Sequence, residues 1–282
     1  MQKSIKNSLP LNLAIIPLAA EPIAHIGAFP VTNTMVNAWL VTLFFVAVAA
    51  VTQVRQGVLV PKGLHNAIEA VIALGATEIE KITGDRKRAR QFFPLIATIF
   101  LVVLANNWLG LLPGTGTFGF YELIHGEIEL VPFLRSAGSD LNFTLAIAVT
   151  AVVFSHLAGV RAVGIVDYFS KFINIKGIIT SIKHGPMAIV TAVIEFGVGL
   201  IEIIGEFAKT LSLSLRLFGN VFAGEILMTV MLGLVSFAVP IPFIFLEILV
   251  GVVQATVFAM LTLVYLVIAT TPHAGHDDAH HA

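Results

Sequence analysis

The chain has 282 residues, 57% of them hydrophobic and 12% charged, with a formal net charge of -1. Soluble domains carry about 25% charged residues, so the solvent that suits this chain is a bilayer. The near-zero net charge gives no basic patch for nucleic acid, and the absence of cysteine excludes disulfides, thiolate metal sites and cysteine catalysis.

Residues 1–34 read as an extracytoplasmic tail. Lys3 and Lys6 precede a mildly apolar stretch ending at Ala20, a faint signal-peptide outline that Pro10 and Pro17 interrupt. The rest, 35–270, reads as a single all-α membrane domain of about five crossings, because a crossing helix needs about 20 mostly apolar residues. The spacing predicts spans at 35–54, 92–112 and 141–160. A fourth runs over 187–218, before Gly219-Asn220, and continues to about 238; the last covers 243–270, after Pro240 and Pro242. The last two are long enough to cross with a strong tilt. Between the first two spans, residues 62–82 place Leu64, Ile68, Val71, Ile72, Ile79 and Ile82 at helical spacing with Glu69, Glu78, Glu80 and Lys81 between them. That is an amphipathic helix, lying on the membrane surface or on other protein. Residues 271–282 read as a disordered His/Asp-rich tail; His273, His276, His280 and His281 are better explained as a solvated end than as a metal site.

Loop charge predicts orientation. Arg55, Lys62, Lys81, Arg86, Lys87, Arg88 and Arg90 crowd the first long loop, and Arg161, Lys171, Lys176 and Lys183 the third. The second has only Arg135, against Glu122, Glu127, Glu129 and Asp140. The first and third therefore face the cytoplasm, with the N-terminus outside and the C-terminus inside. The glycine pattern at Gly114, Gly116 and Gly119 follows a membrane helix rather than a strand and reads as a flexible turn. No arrangement for hydrolytic catalysis stands out.

The most informative stretch is 195–225, where Glu195, Glu202, Glu206, Lys209, Arg216 and Glu225 fall inside the longest apolar region. Each charge at the bilayer centre costs about 2.5–3.5 kcal/mol on insertion scales. With Glu202 at zero, Glu206 falls near +40°, Lys209 near -20°, Arg216 near -40° and Glu195 near +20° at about 100° per residue. One stripe thus has acids in its first half and Arg216 in its second. Lys209 can reach Glu202 or Glu206, so part of the stripe reads as a structural ion network. Carboxyls in low dielectric with water nearby can relay protons. Arginine stays charged and acts as a fixed barrier that attracts a carboxylate on a partner. On the last span, Glu247 and Gln254 share a face, with Tyr265 within about 30° of Gln254. Gln254 reads equally as interhelical glue and as channel lining.

Ser214-Leu215-Arg216-Leu217-Phe218-Gly219-Asn220, with Val221 to Glu225 after it, resembles the signature of subunit a of the membrane (Fo) sector of F-type ATP synthases. The stretches 254–266, 106–114 and 140–146 resemble the same family in the same order. The resemblance implies that Arg216 is the essential arginine facing a ring of c subunits, with Asn220 the polar position one turn on. It implies further that Glu202 and Glu225 line aqueous half-channels and that Gln254 packs near the arginine. Glu247 stands where some relatives carry histidine. Glu195, Glu206, Lys209 and Tyr265 are secondary candidates, and the resemblance assigns no role to Glu195 or Glu206. The implied partners are the c-subunit ring, peripheral-stalk b subunits, the remaining synthase subunits and lipid, with no cofactor and no metal. The implied location is a bacterial inner membrane, with the mitochondrial inner membrane as second choice. A secondary transporter is the alternative, but such folds show two matching halves, and here the charge gathers only in the last third.

Overall fold

The computed structural model describes residues 19–54, 64–112, 115, 118–124, 127–170, 172, 186–234 and 240–271. The possible leader and the His/Asp-rich tail therefore lie outside the described residues, Thr271 excepted. Helices are α1 (Asn33–Val54), α2 (Leu64–Thr83), α3 (Arg86–Gly110), α4 (Leu141–Val163), α5 (Ile165–Ser170), α6 (Pro186–Leu234) and α7 (Pro240–Thr270), with a 3₁₀ turn at Ala137–Ser139. Among the described residues, five helices are long and apolar enough to cross a membrane: α1, α3, α4, α6 and α7. The protein is a mostly helical, multi-pass membrane protein.

The chain forms two compact units: one of 1–71, 97–144 and 215–258, the other of 72–96, 145–214 and 259–282. The first unit holds two antiparallel hairpins. Strands β1 (Pro22–Ile26) and β2 (Phe29–Thr32) pair Ala24 with Val31 and Ile26 with Phe29. Strands β3 (Gly119–Ile124) and β4 (Glu127–Pro132) pair Phe120 with Val131 and Leu123 with Ile128. The first hairpin leads straight into α1, where the Thr32 hydroxyl accepts a hydrogen bond from the Met35 amide at 3.4 Å and so caps the helix start. The Thr34 hydroxyl then donates to Asp140 Oδ2 at 2.9 Å. Asp140 Oδ1 accepts from the Asn142 amide at 2.9 Å, capping α4. One buried aspartate thus joins the starts of two spans.

Helix α2 carries exposed Val71, Ile72, Leu74 and Ile82 among charged residues, an amphipathic pattern over its described length. Helix α4 stops at Gly164, whose φ of +99° suits a residue without a Cβ. Its amide donates back to the Val160 carbonyl at 2.9 Å. The short α5 follows at once.

Two helix starts differ from the expected span boundaries. The second span starts at Arg86 rather than Phe92. Asp85 Oδ1 accepts from the Lys87 amide at 2.8 Å, so a capped start lies ahead of the apolar run, and Pro94 sits inside the helix. The last span starts at Pro240: prolines in a first turn lack only an amide hydrogen that would have no helical partner. The helix of the fourth span passes through Gly219-Asn220 without interruption. Helix α6 runs unbroken for 49 residues. In lipid an interrupted helix would strand backbone N–H and C=O groups, so a glycine that ends helices in water is carried through.

Candidate functional site

The site is built largely on α6, with α7 and the segment before α4 contributing to its first-unit part. There the side chains fall into three arrangements.

The first is an ion pair. Arg135 Nε donates to Glu225 Oε1 at 2.8 Å and Oε2 at 3.2 Å, and Nη2 donates to Oε2 at 3.1 Å. The Arg135 side chain is only 3% exposed and that of Glu225 28%. Arg135 Nη1 also donates to the Ala19 carbonyl at 3.3 Å, so the guanidinium joins α6, the segment before the 3₁₀ turn and the described start of the chain. Such bidentate, charge-assisted pairs are the strong kind.

The second is an amide pair. Asn220 Nδ2 donates to Gln254 Oε1 at 2.7 Å, tying α6 to α7. Gln254 is 4% exposed, and it engages the residue one turn beyond Arg216. Among the described residues its Nε2 has no protein partner, nor do Asn107 Nδ2 and Oδ1, Asn106 Oδ1, or Asn37 Nδ2 and Oδ1. Buried amides without protein partners are the groups that ordered water satisfies. Asn107 lies beside Gly138 and Gly251.

The third is a pair of charges left open. Arg216 is exposed on α6 and, among the described residues, makes no ion pair or hydrogen bond. Leu213 and Leu217 on the other flank are buried at 1% and 0% exposure. Glu247 on α7 is half-buried and likewise has no hydrogen-bond partner among the described residues. Its carboxylate rests directly on Gly224, where any Cβ would collide with it. Glycine at 224 is therefore what lets the Glu247 carboxylate lie against α6 next to Glu225.

The second unit contains a connected cluster. Lys209 Nζ donates to Glu206 Oε1 at 2.7 Å and lies 5.4 Å from the centre of the Tyr265 ring, a cation–π distance. Glu206 Oε2 is 3.8 Å from His156 Nε2, and His156 Nδ1 shares a 2.6 Å hydrogen bond with the Tyr168 hydroxyl. Tyr168 is 5% exposed. Burial first, then the charges of Glu206 and Glu202, push its hydroxyl from the ordinary 10.0 to about 12. Tyr168 sits on α5, outside the candidate spans.

The sequence-predicted residues thus separate. Arg216, Asn220, Glu225, Glu247 and Gln254 belong to the first unit; Glu195, Glu202, Glu206, Lys209 and Tyr265 belong to the second. Glu195 is on α6, its side chain outside the described set. Lys209 pairs with Glu206, one of its two expected partners, and Tyr265 serves that pair. Sequence reasoning missed Arg135, His156, Tyr168 and the buried asparagines. The available signal for Arg135 was its position as the lone cation of an acidic loop, five residues before the Asp140 cap. Among the described residues, no group of three His, Cys, Asp or Glu side chains could hold a metal.

Titratable and permanently charged side chains inside crossing helices define a membrane protein that moves ions. The family described as ATP synthase A chain matches residues 34–267. ATP synthase subunit a of Gloeobacter violaceus is 34% identical over 244 residues, covering 86% of each chain. That of Campylobacter jejuni (strain RM1221) is 32% identical over 241 residues, 84% of this chain and 89% of its own. That of Moorella thermoacetica is 29% identical over 244 residues, 86% and 93%. The chain belongs to the ATP synthase A chain family. It is the proton-translocating subunit of the membrane sector, a member of the synthase complex and not its catalytic subunit; the transporter alternative is not favoured.

Proposed function

We propose that this subunit forms two aqueous half-channels against a ring of c subunits in a bacterial inner membrane, with its N-terminus outside, its C-terminus in the cytoplasm, and b subunits as further stator partners. Protons enter from outside along a vestibule lined by Glu225 and Glu247, with Glu202 a further candidate lining residue. They neutralise a carboxylate on the ring, and the neutral site can turn through lipid where a charged one would cost several kcal/mol. After nearly a full turn the site meets the second half-channel and releases its proton to the cytoplasm. Arg216 separates the two paths and draws the returning carboxylate. Each charge that crosses gains about 2.3 kcal/mol per 100 mV of membrane potential.

The observation that carries this reading is the open cation. Arg216 is exposed on a membrane-spanning helix without an acid of its own among the described residues. A guanidinium is unstable against lipid alone and stable against a partner's carboxylate. The unpartnered amides of Asn37, Asn106, Asn107 and Gln254 support a hydrated vestibule in the first unit.

The chain's lack of cysteine makes the ring contact directly testable. Single cysteines at the exposed Leu211, Leu215 or Ala223 should form disulfides with a cysteine placed beside the ring carboxylate, and cysteines at Leu213 or Leu217 should not. Arg216→Ala should abolish proton-driven ATP synthesis in membrane vesicles, and Arg216→Lys should retain little, because lysine can lose its proton when desolvated. Coupled synthesis at normal rate in Arg216→Ala would overturn the barrier role.

A further inference from the structure

We propose that Arg135 is a positioning residue of the inlet and that Glu225 serves it as a fixed counter-ion rather than as a proton carrier, leaving Glu247 as the carboxylate that passes protons in the first unit. This rests on the half-channel reading above and assigns different tasks to two acids which that reading treats alike.

The argument is one of occupied and open oxygens. Both Glu225 oxygens accept from Arg135, at 2.8, 3.2 and 3.1 Å. A guanidinium has donors only and holds its charge at any working pH. A proton arriving on Glu225 would compete for oxygens already engaged and would leave Arg135, 3% exposed, without its counter-charge. Removing one partner of a buried pair is far more damaging than removing both. The fourth contact of Arg135, to the Ala19 carbonyl at 3.3 Å, makes the pair a clasp between α6 and two other segments.

Glu247 is the opposite case. It is half-buried, has no hydrogen-bond partner among the described residues, and its carboxylate lies on Gly224, adjacent in sequence to Glu225. Arg135 and Glu225 together are neutral, so the clasp offers Glu247 no net positive charge to hold it in one state. Its oxygens are free to take and give protons. Asp140, the nearest other acid in the sequence to Arg135, is committed to Thr34 and to the Asn142 amide.

The test is a set of substitutions in the assembled synthase, read as proton-driven ATP synthesis and as passive proton conductance of vesicles stripped of the catalytic head, both normalised to complex on native gels. Glu225→Gln should lose synthesis by about tenfold or more, because it orphans a buried guanidinium. Arg135→Gln/Glu225→Gln should recover most of that loss, and the exchange Arg135→Glu/Glu225→Arg should recover part of it. Arg135→Lys keeps a cation beside Glu225 but loses the bidentate fork, so it should retain only part of the activity. Glu247→Gln should block conductance in every background. If the double neutral variant assembles yet conducts no better than Glu225→Gln, Glu225 carries protons and the proposal is overturned. If no neutral variant assembles, the exchange variant decides: an assembled Arg135→Glu/Glu225→Arg synthase that does not conduct overturns the proposal, and one that conducts upholds the clasp, because arginine at 225 cannot carry a proton. A Glu247→Gln synthase that conducts normally would instead remove the vestibule reading on which the proposal stands.

Discussion

The two compact units treat charge differently. In the second, Glu206, Lys209, His156, Tyr168 and Tyr265 are linked through contacts of 2.6–5.4 Å, so each charge of that cluster answers to a neighbour within the chain. In the first, Arg135 and Glu225 are fully engaged with one another, while Arg216 and Glu247 have no such partner among the described residues. A charge neutralised at home has little field left to act on another molecule, whereas an open one acts on whatever approaches. The difference teaches that the number of charges in a membrane helix is a poor guide to function. Which of them remain unpaired is the better guide.

The largest effect should come from comparing acids across that divide. Glu247→Gln should reduce coupled synthesis by about 100-fold, the scale of losing a positioned proton-transfer group. Glu206→Gln should stay within about threefold, since a partly exposed pair contributes little. Synthesis rates in energised vesicles check both, and equal losses would break the contrast. A smaller effect is expected at the amide pair. Asn220→Ala leaves buried Gln254 without its partner and should cost about 1–3 kcal/mol of stability, visible as a lowered denaturation midpoint of the detergent-solubilised subunit. The smallest is a titration. Tyr168 holds its proton from the ordinary 10.0 up to about 12, so its contribution to stability is complete below pH 10 and is lost as pH rises through about 12. The phenolate absorbance of the subunit, which has 3 tyrosines, should lose its latest-titrating component in Tyr168→Phe.

Much of the fold was legible because a bilayer imposes a length and a hydropathy on each crossing helix. The spans at 35–54 and 141–160 fall within α1 and α4 to within three residues at each end. What misled was punctuation learned from water. Gly219-Asn220 looks like a helix end, yet Asn220 spends its polar side chain on Gln254 while its backbone continues the helix. The run from Arg86 to Arg90 looks like loop, yet it is the capped first turn and more of α3. The two hairpins left no signal in overall composition. Within the site, Glu206 and Lys209 were legible together because three residues of helix bring side chains to one face. Arg135 and Glu225 are 90 residues apart, and no local period links them. That Arg216 faces a partner was expected from its fixed charge and from the family resemblance, since helical spacing gives a face but not what that face meets.

Helix α6 supplies a last consequence. Its apolar span, Phe196–Leu234, has 39 residues, about 58 Å of contour at 1.5 Å per residue, roughly twice the thickness of the hydrocarbon layer. Only 11% of its most apolar window is buried by this chain, against 39% for α7. A copy made in excess of its partners would display a bare guanidinium and a long uncovered flank to lipid.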